Sequence, residues 1–116
     1  MCMFVSAGGK LHDDVKGVMQ TTGMLEKSVQ VAESCRKAGV KVMHCAITFA
    51  EDASDNPNRS LGILGNCASG KLFTSGTWNA EFCPEMTPQD GDLIINGKKG
   101  LDAFPGSDLE SEVASA

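Results

Sequence analysis

Residues 40–49, VKVMHCAITF, narrow the fold more than any other stretch of this chain. The run is rich in β-branched and apolar residues and shows little alternation. That pattern suits a strand covered on both faces, as in a parallel sheet, better than a strand with one wet side. It follows the clearest helical pattern in the sequence, which spans about residues 22–38. Leu25, Val29, Ala32 and Cys35 or Arg36 recur there at helical spacing. Thr21 or Thr22 is placed to cap the start, and Glu26 sits in the first turns, where the dipole favours acid. Arg36 and Lys37 fall in the last turn, and Gly39 is suited to the position just past the end. A second short apolar run, residues 93–95, follows a Gly91-Asp92 turn. Ser107, Asp108 and Leu109 then open a final helix over 108–113. Helix, buried strand, excursion, buried strand and helix start imply an α/β fold with a parallel sheet. Two such strands are too few to be covered on both faces by themselves, so the sheet is expected to belong to something larger.

The remaining segments are less regular. Residues 4–9 are small and Gly-rich and read as a loop. Residues 11–20 fit either a turn or a capped half-helix. Residues 50–80 are rich in Asp, Asn, Ser and Gly and read as one long, functional or mobile loop. A short helix is expected over 80–86, ended by Pro88.

At 116 residues the chain is one domain, 1–116. Its net charge of −5 argues against nucleic acid and anionic membrane as partners, because both need a basic surface. No apolar run approaches the roughly 20 residues of a membrane span. The opening MCMFVSAGGK lacks the basic region of a signal peptide, so a cytoplasmic location is expected. The five cysteines, Cys2, Cys35, Cys45, Cys67 and Cys83, are odd in number and irregular in spacing. They read as reduced thiols rather than a disulfide framework.

Several patterns suggest chemistry and weaken on inspection. Gly65 to Lys71 has the GxxxxGK spacing of a phosphate loop, but Leu72 stands where a magnesium-holding Ser or Thr belongs, and the stretch reads as a flexible loop. His44 and Cys45 lie inside the first strand, without the CxxC or HxxxH spacing of a zinc site, so no metal is expected. Glu51, Asp52 and Asp55, like His12, Asp13 and Asp14, read as solvated, turn-capping acids. Lys98 and Lys99 are different. They follow the second strand directly, which puts an amine just past the carboxyl end of a buried strand, where open α/β sheets place their chemistry.

The segment 76–110, GTWNAEFCPEMTPQDGDLIINGKKGLDAFPGSDLE, has a recognisable order. A G-T-W-x-A-E stretch leads to a P-x-x-G-D turn, a strand, K-x-x-x-x-A-F, and a T/S-D-L helix start. Upstream lie a G-M-L-E helix start, an R-x-A-G-V turn, a V-x-V-M-H strand, and Phe4 followed by Ser6-Ala7-Gly8-Gly9. In these motifs, along nearly its whole length, the chain resembles the isochorismatase-like cysteine hydrolases.

That resemblance implies a Rossmann-like three-layer sandwich and an Asp-Lys-Cys triad hydrolysing a small amide, carbonyl or ether substrate. In such a triad the ammonium lowers the pKa of the nearby thiol and keeps the carboxylate ionised. Counting back five from Ala103 identifies Lys98, not Lys99, as the matched catalytic residue. Phe4 and Phe104 are implied as pocket wall. No cofactor is implied, and a small-molecule substrate is the expected partner. The family Asp would lie before Met1, and none of the five cysteines matches the nucleophile. The expectation is therefore a partial domain lacking the first strand and the C-terminal half, and inactive alone. The rival expectation is a non-catalytic interaction module, whose open sheet edge pairs with a second copy or with a full-length relative.

Overall fold

A computed structural model describes residues 2–116. The elements run α1 (Cys2–Val5), α2 (His12–Thr22), α3 (Met24–Lys37), β1 (Met43–His44), α4 (Gly62–Ser69), two 3₁₀ turns (Trp78–Ala80 and Pro84–Met86), β2 (Leu93–Ile94) and α5 (Leu109–Ser115). This is a mixed α/β architecture, and β1 and β2 pair in parallel with Met43 opposite Leu93 and His44 opposite Ile94. The pairing is continued by the Ile95 N–H, which donates to the His44 carbonyl at 2.9 Å.

The strand expected over 40–49 is paired only at Met43 and His44, with a further isolated bridge from Phe49 to Thr74. The shortening has a local cause. Beyond β2 the chain turns at Gly97, whose φ of +90° brings it back onto Gly106 and Ser107, so no residue after Ile95 is offered for pairing. Among the described residues, the backbone N–H and C=O groups of Cys45, Ala46 and Ile47 make no hydrogen bond.

The long helix starts later than expected. Thr21 and Thr22 do not cap it; their hydroxyls bond back to Gly17 and Val18 within α2. Gly23 joins α2 to α3 at φ +61°, a left-handed conformation that costs glycine little, and its N–H caps α2 at the Met19 carbonyl. The far end of α3 is as the sequence implies. The Gly39 N–H donates to Arg36 and the Val40 N–H to Cys35, the paired bonds of a Schellman end.

Two stretches read as loops are helical. Residues 4–9 begin within α1, and the expected loop over 50–80 contains α4. Neither is strongly helical by composition; α4 is GILGNCAS, with two glycines. Packing overrides propensity, because Met3 of α1 and Cys67 of α4 are buried against Phe49 and Phe73 in the main core cluster. Phe4, Leu11, Ile47, Leu64 and Leu72 pack around that cluster, and the Phe4 and Phe73 rings lie 5.8 Å apart. The GxxxxGK stretch is thus spent on the body and end of α4, and forms no phosphate loop.

A second anchor is polar. The Asp92 side chain, only 2% exposed, accepts hydrogen bonds from Arg36 Nε (3.0 Å) and Nη2 (2.6 Å), His44 Nε2 (2.7 Å) and the Gln89 N–H (3.0 Å). An ionised carboxylate only accepts, so His44 carries its proton on Nε2. The Arg36 guanidinium, the Gln89 N–H and His44 together hold the Asp92 carboxyl far below the usual carboxylate range. This network locks the end of α3 to β1 and to the turn that enters β2. His44 is therefore a satisfied buried histidine, as its place in the strand suggests.

Elsewhere the packing is open. A hollow of about 1180 Å³ lies beside Val42, between it and the apolar faces of α2 and α3. Val18 and Val31 on its rim are 66% and 63% exposed. No helix among the described residues is long and apolar enough to cross a membrane.

Candidate active site around Lys98

The functional candidates gather at the carboxyl end of β2. Asn96 and Gly97 open an excursion that closes on Asp108. The Asn96 N–H donates to Asp108 Oδ1 at 2.8 Å, and the Asp108 N–H returns to the Asn96 carbonyl at 3.1 Å. Gly97 lies so close to Gly106 that an added Cβ would stand 2.5 Å from the Gly106 carbonyl oxygen. The neck of the excursion is thus fixed by backbone contact at the start of α5, and the lysines project from the loop it holds.

Lys98 lines a cavity of about 530 Å³, and Phe4 lines the same cavity. Met43, Cys45, Ile47, Cys67, Phe73 and Leu101 also contribute to its mostly apolar wall. Phe104 does not; it is 54% exposed, and Leu101 takes the place beside Lys98. Two of the three site residues proposed from sequence, Lys98 and Phe4, are therefore brought together, and Phe104 stands apart from them.

The neighbouring lysine has another task. Lys99 Nζ lies 2.8 Å from Asp55 Oδ2, donates to the Thr48 carbonyl at 2.5 Å and sits 5.9 Å above the Phe49 ring. The hydrogen bond from Lys99 holds the Asp55 carboxyl below its ordinary value. Among the described residues Lys98 makes no ion pair or hydrogen bond, so adjacent lysines divide into an anchor and a group turned to the cavity. Nothing in the sequence marks Asp55 or Thr48 as partners of Lys99, since the latter pair is 51 positions apart. The adjacent Lys-Lys pair was the available signal.

The thiols are less ready for chemistry. Cys2, Cys67 and Cys83 are buried, and desolvation pushes the Cys67 thiol up, which keeps it neutral. No group of three or more His, Cys, Asp or Glu side chains that could hold a metal occurs among the described residues. Of the acidic residues after β1, Asp52 caps the Ser54 N–H and Asp55 the Ala50 N–H, as turn-capping residues do.

In open α/β sheets ligands bind outside the carboxyl ends of the strands, which is where this ammonium and its cavity lie. Comparison with known families makes the assignment specific. The isochorismatase domain matches residues 3–116, and the chain belongs to that family of hydrolase-like proteins. No sequence among curated proteins matches it.

Proposed function

We propose that this chain carries the lysine portion of an isochorismatase-like hydrolytic site, with Lys98 as the ammonium of an Asp-Lys-Cys set and Phe4 as a wall of the substrate pocket. The observation that supports this reading most is the shared cavity. The sequence match picks Lys98 by counting, and that residue, rather than its neighbour, lines a partly open, mostly apolar cavity. There an ammonium stabilises a developing oxyanion or a thiolate more strongly than it does in water. The substrate class is a small amide, carbonyl or ether compound. No cofactor is assigned to the site.

The same reading makes the 116 residues inactive alone. Lys98 is the one triad position the sequence matches. Cys67, which lines its cavity, is held as a neutral thiol. The test is ammonia release from a panel of small primary amides, using the chain and its Lys98→Ala variant. No release from either is expected. Release by the unaltered chain that Lys98→Ala abolishes would keep the hydrolase assignment and overturn the inactivity. Release that Lys98→Ala leaves intact would overturn the role of Lys98.

A second reading, the non-catalytic interaction module, is favoured by one observation: among the described residues, the backbone of residues 45–47 in an apolar extended segment has no partner. Such edges recruit other chains.

A further inference from the structure

The hollow between α2, α3 and Val42 is separate from the Lys98 cavity, although Phe4 borders both. On α3 its wall is Met24, Ser28, Val31 and Cys35, a stripe at helical spacing. At a rise of about 1.5 Å per residue that stripe makes the hollow a groove roughly 16 Å long. On α2 the facing wall is Val15, Val18 and Met19. The hydroxyls in the walls are satisfied within their own helices. Thr22 donates to the Val18 carbonyl at 2.7 Å, and Ser28 to the Met24 sulfur at 3.6 Å. What the groove offers a guest is therefore aliphatic surface.

Its charges are of one sign. Among the described residues, Lys27 and Lys41 are the charged side chains that line it, and no Asp or Glu does, in a chain whose net charge is −5. Lys41 Nζ donates to the Gly91 carbonyl at 3.0 Å. Lys27, in the first turns of α3, is exposed and makes no ion pair or hydrogen bond among the described residues.

We propose that this groove binds one fatty acid, with its carboxylate at Lys27 and its alkyl chain laid along α3 toward Val42. The inference is independent of the hydrolytic reading. Charge complementarity selects the occupant: an uncommitted ammonium at one end of an aliphatic groove matches a single anion carried on an apolar chain. The alkyl chain covers Val18 and Val31, which are 66% and 63% exposed without it. A peptide would bring backbone N–H and C=O groups, and walls whose hydroxyls are already bonded give those groups no partner. An anionic lipid surface would meet the net charge of the whole molecule, whereas one carboxylate meets only the local lysines.

The test is calorimetric titration of the native chain with octanoate, decanoate and dodecanoate, each below its micelle-forming concentration. It is paired with iodoacetamide labelling of the same samples, read by peptide mass mapping. The expected result is one site whose affinity rises about two- to fourfold with each added methylene. Dodecanoate is expected to slow the labelling of Cys35, in the groove wall, and to leave Cys45, in the Lys98 cavity, unchanged. Lys27 is exposed, so Lys27→Glu leaves folding intact, and it is expected to weaken dodecanoate about tenfold. Dodecyltrimethylammonium, the same chain length with a cationic head, is expected to bind the native chain more weakly than dodecanoate, and Lys27→Glu to reverse that order. No binding at any chain length, or binding that does not strengthen with the chain, overturns the proposal. Equal binding of the two headgroups overturns it as well, because the lysine then selects nothing. Protection of Cys45 in place of Cys35 would put the fatty acid in the Lys98 cavity. A dimer that shields Cys35 before any addition, measured by sedimentation, would give the groove to a second copy. Either result sinks the assignment.

Discussion

Replacing each of the two adjacent lysines by methionine separates anchor from cavity residue. The Lys99–Asp55 pair is about a third exposed, with side chains 30% and 36% accessible. A pair so placed contributes roughly 0.5–1 kcal/mol. The hydrogen bond to the Thr48 carbonyl adds about 1 kcal/mol, and the position over the Phe49 ring about 0.5 kcal/mol. Lys99→Met is therefore expected to cost about 2 kcal/mol, partly because it leaves the Thr48 carbonyl without its donor. Lys98→Met removes no hydrogen bond or ion pair and exposes no core, so its expected change lies within about 0.5 kcal/mol. The assay is urea unfolding at neutral pH followed by circular dichroism. With a slope of about 1–2 kcal/mol per molar for a small domain, Lys99→Met lowers the midpoint by about 1–2 M. Lys98→Met leaves it nearly unchanged. Equal losses for the two variants, or a larger one at Lys98, would refute the division of labour between them.

Three other outcomes follow from the same geometry. Asp92 has its folded pKa depressed below the ordinary 3.8, so the stability it supplies is complete above that value and is lost as pH falls through the depressed one. Asp92→Asn is expected to be less stable at neutral pH yet to lose less on acidification below about pH 4, and parallel pH profiles for the two proteins would contradict this. In dilute native protein, Cys35 and Cys45, both half-buried, are expected to react with a disulfide reagent ahead of buried Cys2, Cys67 and Cys83, as read by mass spectrometry of the labelled sites. Gly97→Ala places a Cβ 2.5 Å from the Gly106 carbonyl at a φ of +90°, so a loss of more than about 2 kcal/mol in the same urea assay is expected, and a neutral result would mean that the neck of the Lys98 loop is not rigid.

The parts of this fold legible in the sequence are those fixed by local chemistry. Gly39 ends α3 because a helix needs a left-handed residue to satisfy its last carbonyls, and that need is written in one position. The two apolar runs announce strands, and the lack of alternation in the first points to a sheet covered on both faces, the mark of parallel pairing. What stayed hidden is what distant contacts decide. The sequence GILGNCAS of α4 carries no helical period of its own and becomes a helix because Leu64 and Cys67 find Phe49 and Phe73. The residues 45–49 look like strand throughout, yet a strand is a relation between two segments, and Gly97 withdraws the second segment after Ile95.

The candidate site repeats this lesson at the scale of two residues. Lys98 and Lys99 are chemically identical, and spacing from Ala103 singles out the first only through likeness to a family. The structure separates them by physics: Asp55, the Thr48 carbonyl and the Phe49 ring all converge on Lys99. Once those contacts bind Lys99 to the segment that follows β1, the backbone direction of the loop is set. The preceding side chain is then left to the cavity shared with Phe4. An anchored lysine beside an unengaged one thus gives the loop both of the properties a site requires, a fixed position and an ammonium not already committed to a partner.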